Sequence, residues 1–189
     1  MRSHTGPALT PQRFTAEYLD RNTPVIIPHW NDMSRWYVAR YWVKQGGKGG
    51  TDIDWEHLLR EHGDEQVPVV SSAAVGDATT WKSSMSLQEY KTDYWSRPDR
   101  PYLKDWHACL ALGGLELYEL PVYFRDDWLN DWLEHLGSDY KFIYIGPAGS
   151  RTGVHTDVLH SNSWSAQLTG RKRYVSVSFS NHRSIRSWV

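Results

Sequence analysis

From Tyr140 onward the chain divides into short segments in which apolar and polar residues alternate, with Gly, Pro and Ser between them. The segments read YKFIYIG, TGVHTDV, SWSAQLTG and RKRYVSVSF. Alternation with a period of two is typical of strands that bury one face, and short strands at even spacing are typical of antiparallel barrels and sandwiches. We therefore predict four strands of an antiparallel barrel or sandwich in this half of the chain.

The half before Tyr140 is mainly helical in pattern. Thr10 followed by Pro11 is typical of a helix start, and so is Ser86 with Glu89 three residues later. Helices first and strands afterwards indicate an α+β fold. Further helices are predicted within residues 31–43, 51–63 and about 126–136, strands within 25–28, 67–75 and 100–107, and a loop over 45–50.

Composition excludes several classes of protein. The formal net charge of −1 gives no electrostatic case for binding nucleic acid or an anionic membrane, and no apolar run reaches the length of about 18 residues that a membrane span needs. The single cysteine, Cys109, excludes an internal disulfide and fits the reducing cytosol or nucleus. The 11 tryptophans are scattered along the chain, so we expect them in the core.

The run GVHTDV contains the residues with the most specific chemistry. On a strand, His155 and Asp157 point to the same face, where an imidazole and a carboxylate can take adjacent positions on a metal ion. With a second histidine they would form the facial triad of non-haem iron(II) oxygenases, which leaves positions open for a 2-oxo acid and dioxygen. Alternatively, the two residues belong to a turn, or His155 is a hydrogen-bonded core residue.

Two neighbouring residues strengthen the metal hypothesis. Thr152 lies three residues before His155 and can place a hydroxyl near the same face, and Lys172 follows seventeen residues after His155. A lysine on a nearby strand can pair with the far carboxylate of a 2-oxo diacid. Each residue also has a simpler role, since Thr152 can shape the turn after Gly149 and Arg171-Lys172-Arg173 can be a solvated strand edge.

The run FIYIGPAGSRTGVHTDVLHSNSWSAQLTGRKRY resembles the central motif of the JmjC-domain iron(II)/2-oxoglutarate oxygenases. With PYLKDWH and LPVYFRDDWLNDWLEHL upstream, it is closest to the lysyl hydroxylase subgroup of JmjC-domain-containing protein 4. The resemblance covers about Phe14 to Tyr174. It implies a double-stranded β-helix of the jelly-roll or cupin type, preceded by helices and strands, with Fe(II), 2-oxoglutarate and O2 as cofactor and cosubstrates.

The resemblance also implies roles for individual residues. His155 and Asp157 become iron ligands, and Lys172 becomes the partner of the distal carboxylate of 2-oxoglutarate, assisted by Thr152 and Tyr102. Ser165 falls where related enzymes place another polar pocket residue. No catalytic residue is implied beyond the metal and cosubstrate site. Tyr102 can equally be core packing, and His160 is expected to be a loop histidine.

The chain departs from the family pattern after Tyr174, where an atypical tail covers residues 175–189. The family has a third metal ligand, a histidine on a later barrel strand, whereas His182 follows Asp157 by only 25 residues and is not expected to serve. The chain is therefore predicted to be a C-terminally truncated JmjC protein. Residues 1–100 would form the N-terminal region of the fold and residues 101–189 a partial JmjC domain.

Three functions remain open from sequence. The first is an iron(II)- and 2-oxoglutarate-dependent hydroxylation of a protein side chain, most often lysine in this subgroup, with a translation termination factor as the implied type of substrate. The second is a catalytically inactive isoform or pseudoenzyme that acts as a binding module. The third is a cupin-like binder of small molecules. We expect a protein partner, no direct contact with nucleic acid or membrane, and a cytoplasmic or nuclear location.

Overall fold

The computed structural model describes residues 2–3, 9–28, 33–71, 81–177 and 185–188 of the chain. These residues form ten strands and six α-helices. In chain order the elements are β1 (Arg2–Ser3), α1 (Pro11–Phe14), β2 (Val25–Ile26), α2 (Tyr37–Tyr41), β3 (Val43–Gln45), β4 (Thr51–Ile53), α3 (Trp55–His62), β5 (Gln66–Val70), β6 (Lys82–Ser86), α4 (Leu87–Glu89), β7 (Tyr102–Trp106), α5 (Ala108–Ala111), α6 (Trp128–Glu134), β8 (Ile143–Ile145), β9 (Tyr174–Val177) and β10 (Ile185–Trp188).

Helix starts follow the predicted caps. The Thr10 hydroxyl accepts the Arg13 N–H at 3.2 Å, and the Ser86 hydroxyl accepts the Glu89 N–H at 3.1 Å. Both helices then continue as π-helical turns, Thr15–Leu19 after α1 and Tyr90–Tyr94 after α4. Capping depends only on neighbours in sequence, which is why these starts are visible without the fold.

The chain divides into two compact units. Residues 1–54, 118–125 and 161–189 form the first unit, and residues 55–117 and 126–160 form the second. The predicted division at residue 100 separates halves of the sequence rather than contact groups, and it stays a prediction. None of the helices in the described part of the chain is both long and apolar enough to cross a membrane.

An aromatic cluster forms the core of the first unit. The Phe14 ring lies 5.5 Å from the rings of Tyr123 and Phe124, and the Tyr123 hydroxyl donates to the Leu9 carbonyl at 2.8 Å. Phe124 stacks flat on Trp164, with centroids 4.9 Å apart. These contacts tie residues distant in sequence, so the cluster defines the unit.

The same unit contains a β-hairpin that the sequence did not predict. Strands β3 and β4 pair antiparallel, with Val43 opposite Ile53, and the glycine-rich loop between them closes with a hydrogen bond from the Gly46 N–H to the Gly50 carbonyl at 2.8 Å. Val43 and Thr51–Ile53 lie at the ends of predicted helices, so the helix prediction is wrong there, and Gln45 lies in the predicted loop. The predicted loop over 45–50 is therefore the turn of a hairpin.

A four-stranded antiparallel sheet in the order β6-β5-β7-β8 organises the second unit. Its core contains fully buried side chains from α3 and from strands β5 and β7; they include Leu58, Val67, Val69, Leu103 and Trp106. The mixture of helices with mainly antiparallel sheets confirms the predicted α+β class. The one parallel pair among the described strands joins β1 to β2.

Two of the four strands predicted after Tyr140 are present, and two are wrong. Strands β8 and β9 fall within the first and last segments, but residues 152–158 and 163–170 form no strand. Alternation had placed one face of TGVHTDV in a core, whereas Val154 is 76% exposed. A strand needs a neighbour to accept and donate its backbone hydrogen bonds, and these segments lie on no ladder.

The Tyr90 hydroxyl joins the π-helical turn after α4 to the sheet. It lies 2.9 Å from the Ile145 carbonyl and 3.0 Å from the Pro101 carbonyl, and it accepts the Leu103 N–H at 3.4 Å. The residue is fully buried, and burial raises the pKa of its phenol. Its hydroxyl therefore stays a neutral donor between the ends of β7 and β8.

We predict that Tyr90→Phe lowers the free energy of unfolding by about 1–3 kcal/mol, because it leaves buried backbone groups without their partner. Urea unfolding followed by circular dichroism measures the change. The matched control is Tyr94→Phe, whose ring contact with Trp81 is retained and which should shift stability by less than about 0.5 kcal/mol. Equal effects of the two variants would contradict a special role of the Tyr90 hydroxyl.

Candidate metal and cosubstrate site

The loop after β8 leads to the predicted metal ligands. It turns at Pro147, whose carbonyl accepts the Ser150 N–H at 3.0 Å. Gly149 has a φ of +93°, and a Cβ there would collide with the Arg100 guanidinium. The backbone conformation therefore favours glycine at this turn, and a side chain there would also displace the Arg100 guanidinium.

His155 and Asp157 lie beside each other in this loop, although it is not a strand. The His155 Nε2 atom is 3.3 Å from the Asp157 Oδ1 atom. Their side chains are 57% and 40% exposed, so both are open to solvent. The loop thus brings together the pair that strand alternation had predicted to share a face.

A backbone carbonyl fixes the orientation of the His155 ring. Its Nδ1 atom is 2.8 Å from the Gly153 carbonyl oxygen. Because a carbonyl only accepts, Nδ1 carries the proton, and in a neutral ring Nε2 presents its lone pair towards Asp157. A backbone bond of this kind on the second nitrogen is the usual support of a metal-ligating histidine.

The donor pair fits two adjacent positions on a metal ion. Ligand atoms held at about 2.1 Å on perpendicular axes lie about 3 Å apart, close to the 3.3 Å between His155 and Asp157. In the part of the chain that the structure describes, no group of three His, Cys, Asp or Glu side chains is arranged to hold a metal. His182, which was not expected to be a ligand, lies outside the described residues.

Tyr102 and Thr152 belong to the same unit as the donor pair. Tyr102 begins β7 and is 9% exposed, with its ring 6.0 Å from the ring of Tyr144. Beside it, the Ser150 hydroxyl is buried and has no hydrogen-bond partner within the described structure. Thr152 is exposed in the loop. Their predicted contact with 2-oxoglutarate stays a prediction, and a buried hydroxyl without a partner beside Tyr102 fits a polar cosubstrate.

Lys172 and Ser165 lie in the first unit. The Lys172 ammonium is 5.0 Å from the centre of the Tyr174 ring, and the Ser165 hydroxyl is hydrogen-bonded to the Tyr174 hydroxyl. Tyr174 therefore contacts both Lys172 and Ser165 within the first unit. Their roles towards 2-oxoglutarate stay predictions.

A tyrosine–aspartate pair that sequence reasoning missed lies beside Asp157. The Tyr144 hydroxyl donates to Asp105 Oδ1 at 2.9 Å, and the Lys104 ammonium lies 3.3 Å from the other oxygen of that carboxylate. Burial raises the pKa of Tyr144, and the hydrogen bond with Asp105 and the negative charges of Asp105 and Asp157 raise it further. Tyr144 thus stays protonated as a donor.

An irregularity in β7 puts Asp105 in this position. The pairing with β8 shifts between Leu103 and Trp106, and Asp105 has a φ of +63°, which is uncommon for a residue other than glycine. Such a bulge re-aims a side chain that regular alternation would send elsewhere. The sequence YLKDW carries no sign of it, which is why only the structure reveals the pair.

No protein-family model matches the chain, but several curated proteins are similar to it. "2-oxoglutarate and iron-dependent oxygenase JMJD4" of Gallus gallus is 37% identical over 171 residues, which are 86% of this chain and 39% of the relative. Its Homo sapiens counterpart is 38% identical over 150 residues, 74% of this chain and 35% of the relative. "Arginine-specific demethylase JMJ20" of Arabidopsis thaliana is 30% identical over 192 residues, 90% of this chain and 40% of the relative.

The mixed α+β fold and the His–Asp donor pair fit the class of non-haem iron oxygenases, and the relatives carry that activity in their names. The chain belongs to the JmjC-domain family of 2-oxoglutarate and iron-dependent oxygenases, in the subgroup named JMJD4, which confirms the resemblance seen in the sequence. Iron(II), 2-oxoglutarate and dioxygen are the cofactor and cosubstrates of that family. The chain spans 35–40% of the length of the three relatives described above.

We predict that Gly146→Ala lowers the free energy of unfolding by about 1–3 kcal/mol, because the buried ring of Tyr102 must shift to admit a methyl group. A Cβ at Gly146 would lie 2.6 Å from both the Tyr102 ring and the Ser150 hydroxyl. Chemical unfolding gives the loss, and the near-ultraviolet circular dichroism should change with the ring. Gly47→Ala is the control, since a Cβ there meets nothing within 4 Å. An unchanged Gly146→Ala protein would refute this tight packing.

Proposed function

We propose that this chain is part of an iron(II)- and 2-oxoglutarate-dependent oxygenase that hydroxylates a protein side chain, with lysine as the favoured target. The observation that carries the proposal is the 3.3 Å approach of His155 Nε2 to Asp157 Oδ1, with the imidazole oriented by the Gly153 carbonyl. We further propose that residues from about 101 onward contribute to a double-stranded β-helix. A translation termination factor is the proposed type of substrate, and the cytosol or nucleus the proposed location.

The residues of the chain have separate tasks in this proposal. His155 and Asp157 would hold the metal, which supplies the activation of dioxygen for hydroxylation when 2-oxoglutarate is also bound. Lys172 would pair with the distal carboxylate of 2-oxoglutarate, and the Thr152 and Tyr102 hydroxyls would donate to the same group. Tyr144, kept protonated, donates its hydrogen bond to Asp105 and so holds that carboxylate near Asp157.

Arginine is the second candidate for the target side chain. Two relatives from Arabidopsis thaliana carry the name arginine-specific demethylase, one 30% and the other 45% identical to this chain. Peptides that differ only in lysine, arginine or methylated arginine at one position separate the two possibilities by mass spectrometry. A gain of one oxygen atom marks hydroxylation, and loss of a methyl group marks demethylation.

The competing hypothesis is a binding module without catalysis. It is favoured by the solvent exposure of both metal-ligating candidates, since a dry and shaped cavity normally surrounds a catalytic metal. This hypothesis predicts a folded chain with no measurable affinity for iron(II) under any 2-oxoglutarate concentration. A metal titration therefore separates the two hypotheses directly.

We predict that the chain binds iron(II) in anaerobic calorimetry, more tightly with 2-oxoglutarate present, and that His155→Ala weakens iron binding at least about tenfold. The reason is that the variant leaves only the Asp157 carboxylate of the donor pair. The control is His135→Ala, which removes an exposed histidine of the same unit after α6. Iron affinity that is equal in the two variants, or absent in the unaltered chain, would overturn the proposed function.

A further inference from the structure

Helix α6 turns its largest apolar side chains outward. Trp128 is 69% exposed and Trp132 is 57% exposed, and Leu136 in the turn that follows is 62% exposed. Residues four apart lie on one face of a helix, so the two indoles are neighbours. This arrangement corrects the expectation that the tryptophans are core residues, which holds for Trp36 and Trp106.

The inward face of α6 is held by polar contacts instead of by the indoles. Asp127 caps the helix by accepting the Asn130 N–H at 3.2 Å, and its other oxygen accepts the Asn130 side-chain amide at 2.7 Å. The side-chain amide oxygen of Asn130, Oδ1, accepts the Tyr140 N–H at 2.7 Å. Together with buried Leu133, these bonds fix the rotation of the helix and so fix the indoles in solvent.

The exposed face is both apolar and acidic. At the exposures given, the two indoles present about 300 Å² of surface, which is within the range of the largest apolar patch on a typical monomer. Residues 126–137 contain four carboxylates and no lysine or arginine. Asp126, Asp131 and Glu134 are exposed among them. We call Trp128, Trp132, Leu136 and Asp131 the α6 surface.

We propose that the α6 surface docks a basic, lysine- or arginine-rich segment of a protein partner. Ammonium and guanidinium groups bind over indole faces, their aliphatic stems cover apolar surface, and the carboxylates attract their charge. Phosphates of nucleic acids and anionic lipids are repelled by the same carboxylates. A symmetric pairing with a second copy would bring the two acidic rims together. The proposal rests on the proposed function for the identity of the partner, a protein substrate.

The test is fluorescence anisotropy with labelled 12-residue peptides of alternating Lys and Ser, Arg and Ser, or Glu and Ser, added to the whole chain in a chelating buffer without iron. The basic peptides should bind, the acidic peptide should not, and affinity should fall when salt is raised from about 0.05 M to 0.3 M. The double variant Trp128→Ala/Trp132→Ala should lose roughly tenfold in affinity. The double variant Trp128→Phe/Trp132→Phe should keep most of the affinity for the basic peptides, because a phenyl face retains part of the cation–π attraction.

Matched controls separate the effect of the α6 surface on peptide binding from the effect of the net charge of the chain. Asp131→Asn should weaken the binding of basic peptides roughly threefold, since Asp131 lies three residues after Trp128 and next to Trp132. Glu56→Gln makes the same change in charge on α3 of the same unit and should leave affinity unchanged. All variants are first checked for an unaltered unfolding midpoint.

Several results would overturn the docking proposal. They are equal binding of basic peptides by the alanine variant, equal binding of the acidic peptide, or no binding of any peptide. Sedimentation that shows a dimer abolished by Trp128→Ala/Trp132→Ala, without peptide binding, would assign the surface to a second copy. Since the assay contains no iron, its failure is distinct from failure of the proposed function, which is judged by iron affinity alone.

Discussion

The buried Tyr90 hydroxyl is the contact on which the geometry of the second unit depends. It connects a helical turn to the start of β7 and the end of β8 at three backbone groups. Tyr102 opens β7, Tyr144 lies at the centre of β8, and the loop that carries His155 leaves from the end of β8. The Tyr90 hydroxyl therefore adds a fixed contact between two strands that also pair through their backbones, and these strands lead to the candidate metal ligands and their neighbours. Buried polar groups are costly unless every partner is present, so such a contact specifies one arrangement of the two strands.

The irregular pairing of β7 with β8 places the Asp105 carboxylate where a regular sheet would not. A strand that alternates perfectly sends residues i and i+2 to the same face, and the bulge before Trp106 breaks that rule at Asp105. The cost is a left-handed backbone conformation at a residue with a side chain. The result is a carboxylate that keeps the Tyr144 hydroxyl in place beside Asp157. The uncommon backbone conformation of Asp105 thus also places the carboxylate that raises the pKa of Tyr144.

Sequence reasoning succeeded where the determining contacts are local and failed where they are distant. The caps at Thr10 and Ser86 depend on residues three positions away, and the helix before Gly63 ends where its pattern stops. The segments over 152–158 and 163–170 alternate as strands do, but strand formation depends on a neighbouring ladder that sequence does not show. The family and the His155–Asp157 pair were predictable because motif spacing survives without regular secondary structure. The Asp105 bulge and the outward rotation of Trp128 and Trp132 depend on tertiary contacts and had no local sign.

The hydrogen bond from His155 Nδ1 to the Gly153 carbonyl orients the imidazole towards Asp157. With the Nδ1 proton committed to a carbonyl, a neutral imidazole turns a lone pair towards the Asp157 carboxylate at 3.3 Å. Two electron-rich atoms at that distance repel each other unless a proton or a metal cation lies between them. A metal ion relieves the repulsion at both atoms at once, and protons compete with it for the same lone pairs. The loop conformation alone, without a strand to support it, therefore brings the His155 and Asp157 donor atoms close enough to share one cation, as the proposed function requires.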